Sequence, residues 1–214
     1  LKGARRHHLE RLLPYLTRQA HATYLKINLN ALEHNLRTLR GRLPAGVRVM
    51  AMVKAAAYGA GAWQVAQELA RQGVDYFAVA YTTEGIELRE RGVHAPVMIM
   101  NPDDTAPEQL ARYELEPAVG SFRLLRILAG TGLPLRLHLE FDTGMGRLGF
   151  PPDEAAAVTA LLRTAPQLAV AGVFTHLAAA DDPAADAVTQ AQLAAFSAIR
   201  AHWPEALSHA LNSA

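Results

Sequence analysis

The chain has 214 residues, of which 50% are hydrophobic and 19% charged, which is enough apolar material for a globular core and excludes a disordered chain. Its 21 Lys and Arg against 20 Asp and Glu leave a net charge of +1, so no field of one sign draws it to nucleic acid or a membrane surface. With no cysteine, disulfides, thiolate catalysis and cysteine-ligated metals are excluded, and a reducing compartment such as the cytoplasm is favoured.

The start of the chain differs from the rest. LKGARRHHLERLLPYLTRQ carries basic residues and leucines at helical spacing and precedes a clear restart at Ala22. It lacks the apolar stretch of a signal peptide, and no run in the chain approaches the ~20 residues that span a bilayer. We therefore expect residues 1–21 to be the tail of an upstream domain and residues 22–214 to form the main domain. The basic tail is interpreted as a solvated helix face, with a nucleic-acid arm as the alternative.

Short apolar runs then alternate with longer amphipathic stretches. The eight strand-like runs are TYLKI, VRVMAMV, YFAVAY, PVMIM, residues 116–119, PLRLHLEF, LAVAGVFTH and LSHALN. Between them lie seven helical stretches, one starting at Ser121, whose hydroxyl suits a helix N-cap. This alternation predicts a parallel sheet closed as a (β/α)8 barrel. A complete barrel takes about 250 residues, so we expect a fragment that stops at its eighth strand.

Functional groups of such barrels gather at the carboxyl ends of the strands. The second strand delivers Lys54, followed by AAAYGAG. An apolar barrel mouth disfavours the ammonium form of a lysine and leaves its amine available to form a Schiff base. The alternative is a strand-end lysine that reaches solvent. Tyr58, taken alone, is a half-buried aromatic.

The sixth strand runs into the loop EFDTGMGRLGF. Its glycines allow the backbone to approach a ligand closely or to turn sharply. Arg147 in this loop offers a planar fork suited to a carboxylate or phenolate oxygen. A structural ion pair with Asp142 or Glu140 is the alternative.

The last two strands also end in polar residues. His176 ends the seventh strand, either at a binding site or as a satisfied core histidine. Asn212 and Ser213 end the eighth strand, where barrels often hold a phosphate, although a helix cap is equally consistent. The nine histidines form no HExxH pattern, so no metal site is predicted. GxGxxG, GxxxxGK[ST] and GxSxG motifs are absent, so nucleotide-binding and serine-hydrolase functions have no support.

Four segments together resemble a known family. VKAAAYGAG, DTGMGRLGF, GVFTHLAAADD and HALNSA are similar, in order and spacing, to the pyridoxal-phosphate barrel of bacterial alanine racemases, over about residues 22–214. LKGARRHHLE and VDYFAVAYTTEGIELRERGVHAPVMIMNPDD resemble the bifunctional fusion in which this racemase follows a D-alanyl-D-alanine-adding ligase. The resemblance implies a PLP-dependent (β/α)8 TIM-type barrel, truncated after strand 8 and lacking the C-terminal β domain. It also implies interconversion of L-alanine and D-alanine for peptidoglycan synthesis by a cytoplasmic homodimer.

The resemblance implies roles for single residues as well. Lys54 would hold pyridoxal phosphate covalently and, once displaced by substrate, move the Cα proton on one face. Arg147 would reach the phenolic oxygen of the cofactor and the substrate carboxylate, and His176 would pack against the pyridine ring. The phosphate would be bound by Tyr58, Asn212 and Ser213.

Three positions depart from the family pattern. Ala56 and Ala60 stand where relatives often have an Asn or Asp and a His, so polar contacts around the lysine loop are expected to be lost. Glu140 stands where many relatives carry a carbamylated lysine that orients the arginine. The resemblance therefore implies that Glu140 supplies this negative charge directly and positions Arg147.

Further residues of the family's site lie beyond the matching segments. The family has an arginine after the eighth strand and takes its second base from the C-terminal domain of the partner subunit. The resemblance therefore implies that these 214 residues alone bind cofactor weakly and racemise negligibly. A non-catalytic barrel for pyridoxal-phosphate homeostasis is the main alternative, against which DTGMGRLGF argues. A D-amino-acid aldolase would need a metal site, and a basic amino-acid decarboxylase would need acidic specificity residues.

Overall fold

A parallel sheet dominates the computed structural model, which describes residues 25–211. Its seven strands within this range are β1 (Met50–Met52), β2 (Tyr76–Tyr81), β3 (Val97–Asn101), β4 (Leu115–Val119), β5 (Leu135–Glu140), β6 (Leu168–His176) and β7 (Leu207–Leu211). The order in the sheet is the order in the chain, and every neighbouring pair is parallel. The predicted sequential parallel topology is confirmed.

Helices connect the strands. They are α1 (Leu29–Arg40), α2 (Lys54–Tyr58), α3 (Ala62–Arg71), α4 (Thr82–Glu90), α5 (Pro107–Arg112), α6 (Phe122–Gly130), α7 (Ala155–Arg163) and α8 (Asp186–Arg200). Short 3-10 turns precede α7 (Pro152–Glu154) and α8 (Pro183–Ala185). Ser121 is the predicted N-cap of α6, where its hydroxyl accepts a hydrogen bond from the Leu124 N–H. None of the helices in the described range has the length and apolarity that a membrane crossing requires.

Two apolar layers form because strand side chains alternate between the faces of the sheet. On β2, Phe77 and Val79 are fully buried in the large cluster between sheet and helices. Ala78 between them belongs instead to a small cluster with Met98, Ala118 and Phe174 on the other face, the interior of the curved sheet. Both faces are covered, as expected of a barrel sheet.

The predicted first strand is the main difference. Leu25 and Ile27, at the end of TYLKI, are in no strand, and their side chains are 72% and 39% exposed. A strand exists only through a hydrogen-bonded partner, and within residues 25–211 the edge strands β1 and β7 pair only with β2 and β6. The prediction of a strand at residues 25–27 is therefore wrong. The predicted tail, residues 1–21, and the predicted phosphate ligands Asn212 and Ser213 lie outside the described residues.

Candidate active site

Lys54 follows β1 directly and opens the short turn α2. The next four residues all have positive φ angles, 51° at Ala55, 54° at Ala56, 52° at Ala57 and 56° at Tyr58. Left-handed backbone costs an L-residue of this kind roughly 1–2 kcal/mol, so the turn is strained unless neighbours hold it. The Tyr58 side chain is 68% exposed. Backbone strain is therefore concentrated immediately after the predicted reactive lysine.

Glu84 on α4 is one such neighbour. One carboxylate oxygen accepts a hydrogen bond from the Ala55 N–H at 2.7 Å. The other accepts from the N–H groups of Ala80 at 2.7 Å and Tyr81 at 3.1 Å. One side chain thereby ties the lysine turn to the end of β2. Sequence reasoning missed Glu84, although an acidic residue in the first turn of a helix was a local sign of backbone capping.

The glycine-rich loop after β5 is shaped by Asp142. Its carboxylate accepts hydrogen bonds from the N–H groups of Gly144 at 2.9 Å, Gly146 at 3.0 Å and Arg147 at 3.1 Å. These backbone contacts, acting against burial, lower the pKa of Asp142. At Gly149, φ is 119° and a Cβ would lie 2.5 Å from the Asp142 nitrogen, so only glycine fits. The Asp142 side chain therefore stabilises the shape of the loop by binding backbone N–H groups of the loop.

Among the described residues, Arg147 has no carboxylate partner in an ion pair. It is exposed, and no ion pair within 4 Å joins it to either predicted carboxylate in residues 25–211. Glu140 is only 4% exposed. Burial raises the pKa of Glu140, the charge of Arg147 lowers it, and the charge of Asp142 raises it further. Glu140 and Arg147 thus interact through charge and make no direct hydrogen bond.

His176 is the last residue of β6 and therefore lies, like Lys54 and the Arg147 loop, at the carboxyl ends of the parallel strands. Its pKa is lowered first by burial and then by the positive charges of Arg147 and Lys54. The two cations are therefore close enough to His176 to influence its protonation. The structure brings together three predicted residues, Lys54, Arg147 and His176, at the carboxyl ends of β1, β5 and β6.

A buried amide supports this edge from behind. Gln192 on α8 is 1% exposed and contacts the backbone beyond β6 and the loop after β5. Sequence reasoning missed it, because a glutamine in an alanine-rich helix carries no local sign of its role.

The cluster suits an anionic ligand with a reactive carbonyl. An amine, a guanidinium and an imidazole with depressed pKa can bind a carbonyl carbon, an anionic oxygen and an aromatic ring, respectively. No group of three or more histidines, aspartates or glutamates within residues 25–211 is placed to hold a metal ion. Sequential parallel strands with this cluster at their carboxyl ends define a (β/α)-barrel protein with a small-molecule site.

Comparisons with known proteins assign the family. The model of the alanine racemase N-terminal domain matches residues 27–214. The chain is 43% identical over 189 residues to an alanine racemase of Thioalkalivibrio sulfidiphilus, covering 86% of this chain and 52% of that protein. It is 40% identical over 177 residues to an alanine racemase of Synechocystis, covering 79% and 47%. The structure of an alanine racemase from Clostridium difficile 630 superposes with a TM-score of 0.82 at 30% identity, covering 87% and 51%.

The chain belongs to the alanine racemase N-terminal domain family. The family depends on pyridoxal phosphate, and this is its cofactor-binding domain. The predicted family and barrel fold are confirmed. The chain spans about half the length of the curated relatives it matches. The origin in a ligase fusion stays a prediction.

Proposed function

We propose that this domain binds pyridoxal phosphate and serves an isomerase that interconverts L-alanine and D-alanine. The observation that carries the proposal is the convergence of Lys54, Arg147 and His176 at one edge of a sheet of the matched family. A lone strand-end lysine is uninformative, whereas a lysine with these two partners fits a cofactor that carries an aldehyde, a phenolic oxygen and a pyridine ring.

Each residue has a distinct task in this proposal. Lys54 would hold the cofactor through Nζ and, once released from it, would take or return the Cα proton on one face. Arg147 has no carboxylate partner within residues 25–211 and would therefore be able to bind the phenolic oxygen and the substrate carboxylate. His176 would contact the pyridine ring in its neutral form, which its lowered pKa favours. When bound, pyridoxal phosphate supplies the electron sink that makes the Cα–H bond acidic.

Other groups complete the proposed site. Tyr58 has an exposed side chain at the edge of the lysine turn and is available to bind the cofactor phosphate. Asn212 and Ser213 follow β7 directly and are assigned to the same phosphate. Glu140 is assigned to orient Arg147 by its charge, without a carbamylated lysine. Its support is the electrostatic interaction between the two groups.

The wider setting is also proposed. We assign the parent protein to the cytoplasm as a homodimer that supplies D-alanine for peptidoglycan, with residues 1–21 as the end of an upstream ligase. The dimer is supported by three large side chains exposed around the strand ends, which a partner subunit could cover: Tyr58 at 68%, Tyr81 at 60% and Leu148 at 52%.

Proton exchange at the alanine Cα tests the function. The chain is incubated with pyridoxal phosphate and L-alanine in deuterated buffer, and deuterium at Cα is measured by NMR together with the ratio of enantiomers. We expect exchange that is lost in Lys54→Ala. Retained configuration would show one base at work, and inversion would show two. A folded chain that binds pyridoxal phosphate without any exchange would instead support the homeostasis alternative.

A further inference from the structure

We propose that Gln192 is a positioning residue that locks the ends of β5 and β6 together and so holds His176 and the Arg147 loop in place for the cofactor. The inference rests on the proposed function. Gln192 itself contacts neither of those two side chains. It acts through the backbone and through a threonine.

The amide of Gln192 is fully used. Its Oε1 accepts a hydrogen bond from the Ala178 N–H at 2.9 Å. Its Nε2 donates to the carbonyl oxygen of His176 at 3.1 Å and to the Thr143 hydroxyl at 3.4 Å. An amide has two donor hydrogens and one acceptor oxygen, so these contacts meet its hydrogen-bonding needs in a buried place. Only an amide satisfies all three partners at once.

The contacts continue into the loop that carries Arg147. The hydroxyl of Thr143 lies 2.8 Å from that of Thr175, the residue before His176. A Cβ at Gly144 would lie 3.3 Å from Gln192 Cγ, so the loop packs closely on this side chain. The end of β6, the loop after β5 and helix α8 are therefore joined at one point.

This arrangement restrains the two side chains that the proposed function assigns to the cofactor, those of His176 and Arg147. The carbonyl that Gln192 binds belongs to His176 itself, so it restrains the backbone from which the imidazole projects. Thr143 lies four residues before Arg147 in the loop whose backbone N–H groups at Gly144, Gly146 and Arg147 donate to the Asp142 carboxylate. A displaced β6 end or loop would leave both side chains present but misplaced, which lowers affinity for a ligand that needs them together.

Gln192→Glu tests the two hydrogen bonds that Nε2 donates separately from the one that Oε1 accepts. The carboxylate keeps a hydrogen-bond acceptor for Ala178 but presents a charge to the His176 carbonyl and loses both donors. We expect the Kd for pyridoxal phosphate to rise about tenfold at pH 8, since a buried carbonyl loses its donor. Burial favours the neutral acid, which can donate again, so the ratio of variant to wild-type Kd falls toward one as the pH is lowered. Gln190→Glu on the exposed face of the same helix is the matched control, with no change expected.

Two further measurements complete the test. Thr143→Val removes one partner without adding charge and should raise Kd by a smaller factor if the link to Thr175 matters. The His176 ring resonances of cofactor-free protein should shift in Gln192→Glu and stay in place in Gln190→Glu.

The outcomes are separable. A wild-type chain that is folded yet binds no pyridoxal phosphate contradicts the proposed function, and the His176 resonances alone then decide this inference. Unchanged resonances overturn it, as does a Gln192→Glu Kd within twofold of wild type at every pH.

Discussion

Glu140 places a carboxylate in the protein interior, where burial makes its charge costly. It is almost fully buried and has no hydrogen-bonded partner of opposite charge within residues 25–211. An unpaired buried carboxylate is costly, and burial accordingly raises its pKa. The charge is useful only if it acts on Arg147, as proposed.

Replacing this charge should therefore move stability and binding in opposite directions. A raised folded-state pKa means that the stabilising contribution of Glu140 is present below pH 4.5 and is lost as the pH rises through its folded value. Glu140→Gln should raise the melting temperature by a few degrees at pH 7 but not at pH 4, while the Kd for pyridoxal phosphate rises about tenfold. Thermal unfolding and fluorescence titration measure these, with the exposed Glu108→Gln as control. Unchanged cofactor binding in Glu140→Gln would exclude the positioning role.

At the scale of the element, the lysine turn combines strain with an external anchor. Its left-handed residues are three alanines and Tyr58, none of which gains anything from that conformation. Glu84 compensates by accepting an N–H from inside the turn and two from the neighbouring strand end. Asn and Asp tolerate left-handed backbone better than alanine does.

Ala56 is exposed, so the effect of a substitution there on the free energy of unfolding should depend on the backbone preference of the new residue and not on burial. Ala56→Asn should raise the free energy of unfolding by a few tenths to about 1 kcal/mol. Ala56→Ile should lower it by about 1–2 kcal/mol, because a β-branched side chain opposes positive φ. Urea unfolding at neutral pH measures both. Equal stabilities for the two variants would show that the turn is not left-handed in solution.

At the scale of the whole molecule, the sheet interior is polar at one end. Glu116 accepts hydrogen bonds from Arg136 at 2.7 Å and Tyr76 at 3.1 Å, and its other contact is with His138 at 2.8 Å. Burial opposes the charge of Glu116, but the hydrogen bonds outweigh it and lower its pKa. His209 lies next to this network, with its ring centroid 6.3 Å from that of His138. It stacks on Phe174, with ring centroids 4.8 Å apart. Burial and then the charge of His138 lower the pKa of His209 to about 4.

His209 makes the stability of the domain sensitive to mild acid. The unfolded chain takes up a proton near pH 6.5, whereas folded His209 does so only near its pKa of about 4. The free energy of unfolding should therefore fall as the pH drops from 6.5 to 4, by up to about 3 kcal/mol. His209→Phe keeps a stacked ring and should flatten this part of the profile, while the exposed His94→Asn should not. Urea unfolding between pH 4 and 7 measures the slope, and an unaltered slope in His209→Phe would assign the acid sensitivity elsewhere.

Local patterns were sufficient for most elements of the fold. Short apolar runs and the Ser121 cap predicted β2 to β7 and α6, because burial on both sides of a parallel sheet leaves a local trace. TYLKI carries the same pattern, yet residues 25–27 form no strand, because strand formation depends on a distant partner. VRVMAMV shortened to Met50–Met52 for a related reason, since β1 has only one partner strand among the described residues.

The candidate site was predictable only in part. Lys54, Arg147 and His176 were predicted because strand ends carry the chemistry of a barrel, and their roles stay a prediction. Glu84 and Gln192 were missed because they act through tertiary contacts 29 and 14 residues away, which no local motif reports. The backbone-capping role of Asp142 was also hidden, since the sequence suggested an ion pair with Arg147.

Covalent labelling tests whether Lys54 is the residue that binds pyridoxal phosphate. The sequence contains three lysines, Lys2, Lys26 and Lys54, so a cofactor fixed by borohydride reduction can be located by peptide mass. We predict one pyridoxyl group, on Lys54, that is lost in Lys54→Ala and kept in Lys26→Ala. A chain that is folded by far-ultraviolet circular dichroism but is labelled elsewhere, or not at all, would contradict it.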